Sequence, residues 1–181
     1  EVTDPEYIPP PNPCDHPVAR KIWNADAAAI AAAPALFAKA ASLNDGSTLS
    51  NREFFTNLFS RADGSVGFTD PIFGGPAVQG QVPNVVNTYS GVSSADWMGD
   101  LHNHPSGDAR LSDGEWNTFI NQLSQFSATN PERRPELEHV AAYVLVLDAS
   151  SPRGYRVHAN TRDTPYNQLG PEVNPDAQPC P

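Results

Sequence analysis

The sequence predicts an α/β protein in which a mixed β-sheet is flanked by helices, with a proline-rich arm at either end. Three observations carry that class. An alanine-rich stretch over residues 18–43 has helical composition and precedes several short aromatic and β-branched runs. A second helical stretch places Trp116, Phe119, Ile120, Leu123 and Phe126 on one apolar face between two of those runs. The later of the two, residues 140–147 (Val-Ala-Ala-Tyr-Val-Leu-Val-Leu), is apolar almost throughout, as in a strand covered on both sides. At 181 residues the chain fits one domain, because domains of roughly 100–200 residues bury enough surface to fold alone.

Taken in order, residues 1–17 hold Pro5, Pro9, Pro10, Pro11, Pro13 and Pro17, which remove backbone donors and predict an extended arm. The domain follows over 18–163. Its lead-in, 18–43, is helical, and Pro34 is expected to kink it or split it in two. His16 just before it reads as a surface residue. The core, 51–159, opens with strand-like text over 52–59 and 66–73, joined by Ala62-Asp63-Gly64-Ser65, the chemistry of a tight hairpin turn. Glu53 stands at the head of the first strand among aromatic residues, and spacing alone reads it as an edge-strand carboxylate facing water. Residues 73–83 form a Gly/Pro loop, and no Gly-Lys-Ser/Thr follows the diglycine, so it is no phosphate cradle. Residues 85–89 read as a short strand or the start of a crossover.

A strand over 97–102 comes next, and Ser112 then caps a helix from Asp113 to about Ser127. Residues 130–138 read as a charged, proline-broken loop. After the apolar strand, a turn over 148–154 leads to an alternating partner strand over 155–159. His158 is expected to point outward from that hairpin, and His139 precedes the buried strand. The tail, 164–181, is proline-rich like the first arm.

Charge excludes some partners. With 11 Lys+Arg against 21 Asp+Glu the net charge is −10, and no basic cluster is present, so neither nucleic acid nor an acidic membrane surface is an expected partner. No apolar run approaches the roughly 18 residues that span a bilayer. The first residue is Glu1, which predicts a processed chain or a piece of a longer one. No oligomeric state is predicted. Cys14 and Cys180 lie in the two proline-rich segments, and their positions suggest a bridge tying the ends together in an oxidising compartment. The alternative is two unpaired thiols. Neither is read as a metal ligand.

The chemistry concentrates in residues 99–115, Gly-Asp-Leu-His-Asn-His-Pro-Ser-Gly-Asp-Ala-Arg-Leu-Ser-Asp-Gly-Glu. His102 and His104 are two apart at the end of a strand, which turns both imidazoles to one side. Two such imidazoles are half of a zinc site, and His-His-carboxylate with one position left for water is a standard catalytic set. Asp113 and Glu115 both offer the third ligand. The same four residues, Ser112-Asp113-Gly114-Glu115, also read as a capping box, and spacing does not separate a capping carboxylate from a metal carboxylate.

His102-x-His104-Pro105, followed by Ser112 and an acid at 115, resembles the JAMM motif of the MPN-domain metalloproteases. The wording His-Asn-His-Pro-Ser-Gly is especially similar to the bacterial RadC branch. The stretch from Arg52-Glu53-Phe54 to the histidines also resembles JAMM-like domains of bacterial secreted and polymorphic-toxin proteins. The resemblance covers residues 51–159. It implies an MPN/JAMM-like (cytidine-deaminase-like) sheet, a Zn2+ ion held by His102, His104 and Glu115, an oxyanion-stabilising Ser112, and Glu53 as general base. The implied activity is hydrolysis of a peptide or isopeptide bond in a protein or peptide substrate, by a secreted bacterial protein. The family carries Asp where this chain has Glu115, one methylene or about 1.5 Å longer. Either the helix sits further back, or Asp113 is the ligand, or the metal is lost. The competing functions are accordingly a non-catalytic MPN-like binding module and a toxin domain hydrolysing another amide.

Overall fold

The computed structural model describes residues 12–78 and 91–181. Residues 85–89, read above as a strand or crossover, lie outside them, as does most of the first arm. What is described of that arm is not extended: Pro13–Asp15 form a 3-10 turn, and Pro17 is already the first residue of helix α1 (Pro17–Ser42). His16 caps α1, its Nδ1 accepting the Val18 amide at 3.2 Å.

Helix α1 runs unbroken through Pro34, contrary to the expected split. Proline removes one hydrogen bond and crowds the preceding turn. Here Pro34 is exposed, whereas Ala29, Ala32, Ala33 and Leu36 on the opposite side are fully buried. The apolar face therefore holds the helix across the defect.

Among the described residues six strands form one mixed sheet, in the order β2-β1-β4-β5-β6, with β3 also on β1. β1 (Phe54–Ser60) pairs antiparallel with β2 (Val66–Phe68), with β3 (Ile72–Phe73) and with β4 (Trp97–Asn103). The single strand expected over 66–73 is thus two. Between them Thr69 turns its hydroxyl onto β1, taking the Asn57 amide at 3.1 Å, and Pro71 supplies no donor. β4 runs parallel to β5 (Ala141–Leu147), which pairs antiparallel with β6 (Tyr155–Thr161). A parallel pair needs a crossover, and helix α2 (Asp113–Thr129) lies in it.

Residues 130–138, expected as loop, contain a 3-10 turn, Pro131–Arg133, and a short helix α3 (Arg134–Leu137). Pro131 and Pro135 sit at the first turns of these helices, where a missing amide costs nothing. Arg133 and Glu136 pair in the interior, and Arg133 also donates to the carbonyls of Ser94 and Trp97.

The helices cover opposite faces of the sheet. Tyr143 on β5 donates to Asp26 on α1, so this face and its neighbour Leu101 belong to α1. Trp97 packs on Phe119 and Phe126 of α2. A bulge decides which β4 residues face α2. Asn57 pairs with Asp100 but Phe59 with Trp97, so β4 holds one residue more than β1 across that interval. Gly99 absorbs it at φ +111, where an added Cβ would stand 2.3 Å from the Ala141 carbonyl. Alternation restarts after the bulge, and Trp97, Asp100 and His102 share the α2 face.

The tail beyond Thr164 is laid along β6. The Ala159 amide donates to Pro171 and the Val173 amide to Val157. It covers His158, which is buried and bonded through Nδ1 to the Gly170 carbonyl at 2.9 Å, and does not point outward as expected. Cys14 and Cys180 form a disulfide.

Candidate metal centre

Strand β4 delivers His102, and His104 follows it by one residue, so both imidazoles emerge at the end of the sheet nearest the start of α2. Each ring is held from behind. His102 Nδ1 donates to Asp100 at 3.2 Å, and His104 Nδ1 donates to the Asp108 carbonyl. A carbonyl or carboxylate partner requires the proton on Nδ1, which fixes the tautomer and turns both Nε2 lone pairs inward. The two Nε2 atoms are 3.0 Å apart.

Glu115 completes the group. Its Oε1 is 3.0 Å from His104 Nε2 and 3.4 Å from His102 Nε2. Its Oε2 accepts the Ser112 amide at 2.7 Å, while Ser112 Oγ accepts the Glu115 amide at 3.4 Å. The capping carboxylate and the converging carboxylate are thus one residue, each oxygen with its own task. Asp113, the alternative ligand, is exposed and accepts the Tyr166 hydroxyl instead.

The donor set suits a metal ion. Bond lengths near 2.0–2.1 Å in tetrahedral geometry put neighbouring ligand atoms roughly 3.3 Å apart, and the three atoms here are separated by 3.0, 3.0 and 3.4 Å. His102, His104 and Glu115 can hold a metal ion. The electrostatics point the same way. Burial pulls the His102 imidazole toward neutrality, but Asp100 and Glu115 outweigh it and raise its pKa to about 10. Burial also works against the Glu115 carboxylate, yet the two histidines hold it well below the usual carboxylate range. Without metal, a proton on His102 offsets the Glu115 carboxylate.

Glu53 lies just before β1 and is buried at 7% exposure, against the reading of a solvent-facing edge residue. It borders two adjoining hollows that meet at the ligands. One, of about 420 Å³, takes in His102, Glu115 and Asp100; the other, of about 560 Å³, takes in His104, Ser112 and Asp113. Asn103, between the histidines, fixes the backbone on either side of Glu53. Its amide donates to the carbonyls of Leu49 and Arg52 at 2.8 and 2.9 Å and accepts the Phe54 amide at 2.7 Å. Arg52 is itself buried, bonded to Asp45 and Gly74 and stacked over Phe73.

Sequence reading missed Asp100, Asn103 and the Asp108 carbonyl. Asp100 was within reach, since it precedes His102 by two in a strand; the other two act through backbone contacts that no spacing encodes. Compared with protein-family models, with curated proteins and with solved structures, the chain matches none of them.

Proposed function

We propose that the chain is a zinc-dependent hydrolase of JAMM type, cleaving a peptide or isopeptide bond. The observation that carries the reading is the convergence of His102 Nε2, His104 Nε2 and Glu115 Oε1, with the buried Glu53 beside them at the junction of two hollows. Zinc held by His102, His104 and Glu115 would supply a Lewis acid for the substrate carbonyl. Glu53 would take a proton from the attacking water and return it to the leaving nitrogen. Ser112 Oγ, which accepts from the Glu115 amide, keeps its own proton to donate to the oxyanion. Asp100 and the Asp108 carbonyl hold the rings in the metal-binding tautomer.

The extra methylene of Glu115 relative to the family's aspartate is accommodated by the capping bond, which anchors one oxygen at the Ser112 amide and leaves the other at the histidines. That feature favours a working site over a binding module with a decayed one. The Cys14–Cys180 bridge suits an oxidising, extracytoplasmic compartment, and no helix among the described residues is long and apolar enough to cross a membrane.

The Glu53→Gln variant tests the chemistry. It should retain stoichiometric zinc and lose turnover of a peptide library by about 10²–10⁴-fold, the range for a general base. Turnover at the native rate in that variant would contradict the reading.

A further inference from the structure

Five residues of helix α2 border the 420 Å³ hollow: Gly114, Glu115, Thr118, Phe119 and Gln122. At about 100° per residue they fall on one arc of about 140°, with Gly114 at its edge and Thr118 beside it one turn on. Gly114 and Thr118 are exposed, whereas Phe55, Leu111, Phe119 and Ala142, which also border the hollow, are buried to 7% exposure or less. The exposed pair is therefore the lip and the apolar four are the wall. His102 and Glu115 border the same hollow, so whatever enters it lies against the candidate metal centre.

Nothing within the chain calls for glycine at 114. The residue is helical, and only proline is a poorer helix former than glycine. A Cβ added there meets no atom within 4 Å. The capping bonds run between Ser112 and Glu115 and need no particular neighbour. A side chain at 114 would thus favour the helix and clash with nothing, and the place it would take is on the lip of the hollow. The space kept open there is space for something outside the chain.

We propose that the 420 Å³ hollow takes an uncharged, apolar side chain of the peptide substrate beside the bond to be cleaved, and that Gly114 determines how large that side chain can be. The inference deepens the proposed amide hydrolysis and rests on it for the peptide nature of the ligand. The volume falls in the range of small-ligand pockets and accommodates an aromatic side chain. An acidic side chain would enter a hollow bordered by Glu53, Asp100 and Glu115. A basic one would compete with the histidines for Asp100 and Glu115, which are already bonded to them. An apolar one gains the wall of Phe55, Leu111, Phe119 and Ala142 and disturbs neither.

The test uses the full disulfide-bonded chain, labelled with 15N and taken with and without one equivalent of zinc. The probes are the N-acetyl methylamides of phenylalanine, glycine, glutamate and lysine. The Gly114 amide resonance, assigned by its loss in Gly114→Leu, should shift on adding the phenylalanine probe. That probe should bind at least about tenfold more tightly than each of the other three, the effect of burying one aromatic side chain. In Gly114→Leu the phenylalanine probe should fall to the affinity of the glycine one, with zinc uptake retained. Gly114→Ala should melt no lower than the native chain and show a smaller loss in the same direction. Equal binding of the phenylalanine and glycine probes, tighter binding of the glutamate or lysine one, no binding of any, or a phenylalanine preference unchanged in Gly114→Leu would overturn the inference. Zinc uptake and turnover with no preference for an apolar residue would sink this inference alone; the preference without zinc uptake would sink the hydrolase reading alone.

Discussion

Asp100 shows how much a single side chain contributes to the candidate centre without touching the metal position. Burial favours its neutral form and raises its pKa, while the hydrogen bond from His102 works in the opposite direction and keeps the pair together. A partner of this kind orients the ring and raises its basicity, and its loss commonly weakens metal binding by about 10–100-fold. Asp100→Asn should therefore fold and bind zinc about 10–100-fold more weakly in a competition titration; unchanged affinity would show that the ring is oriented by packing alone. Glu115 is the second residue with two roles, and both its oxygens are engaged. The longer side chain is what lets one carboxylate cap a helix and reach two histidines.

At the scale of elements, the two faces of the sheet impose different demands. On the α1 face, Asp26 accepts the Tyr143 hydroxyl from β5, but burial outweighs that bond and raises its pKa to about 6. The folded state thus binds the proton more tightly than the unfolded chain, whose carboxyl titrates near 3.8. This group's favourable contribution is complete below pH 4 and is lost as pH rises through 6. Asp26→Asn keeps an acceptor for Tyr143 and removes the buried charge, so it should stabilise the chain at pH 7 by up to about 3 kcal/mol. Denaturant titrations at pH 4 and pH 7 check this; a gain of equal size at both would contradict it. On the α2 face, hydrophobic spacing and the Ser112 box made the helix legible in sequence, and His-x-His at a strand end made the ligand pair legible. The bulge at Gly99 was not, because a glycine in a strand does not announce whether it shifts the register. It places Trp97 beside Asp100 and His102, a grouping that strict alternation would deny. Pro34 and the 130–138 segment misled for one reason: proline breaks a helix interior but is neutral in a first turn and tolerable where the opposite face is buried.

The whole molecule is closed by contacts between its ends; the Cys14–Cys180 bridge was legible in the sequence, and the hydrogen bonds beside it were not. The Trp23 indole donates to the Gln178 carbonyl at 2.6 Å, the Cys180 amide donates to Asn24 at 2.7 Å, and the Cys14–Cys180 bond spans 166 residues of sequence. The same tail buries His158, an outcome set by a segment that local periodicity around the histidine does not reveal. Closing so long a loop restricts the unfolded chain, and reduction should cost about 2–5 kcal/mol, lowering Tm by about 10 °C. A thermal scan with and without reductant measures this, and an unchanged Tm would mean that the end contacts alone hold the tail. The central claim concerns the metal, and zinc stoichiometry of the purified chain and of Glu115→Ala tests it most directly. The native chain should hold one zinc and Glu115→Ala less than about one-tenth of that, with Asp113→Ala unaffected. No stoichiometric zinc in the native chain, or full zinc in Glu115→Ala, would contradict it.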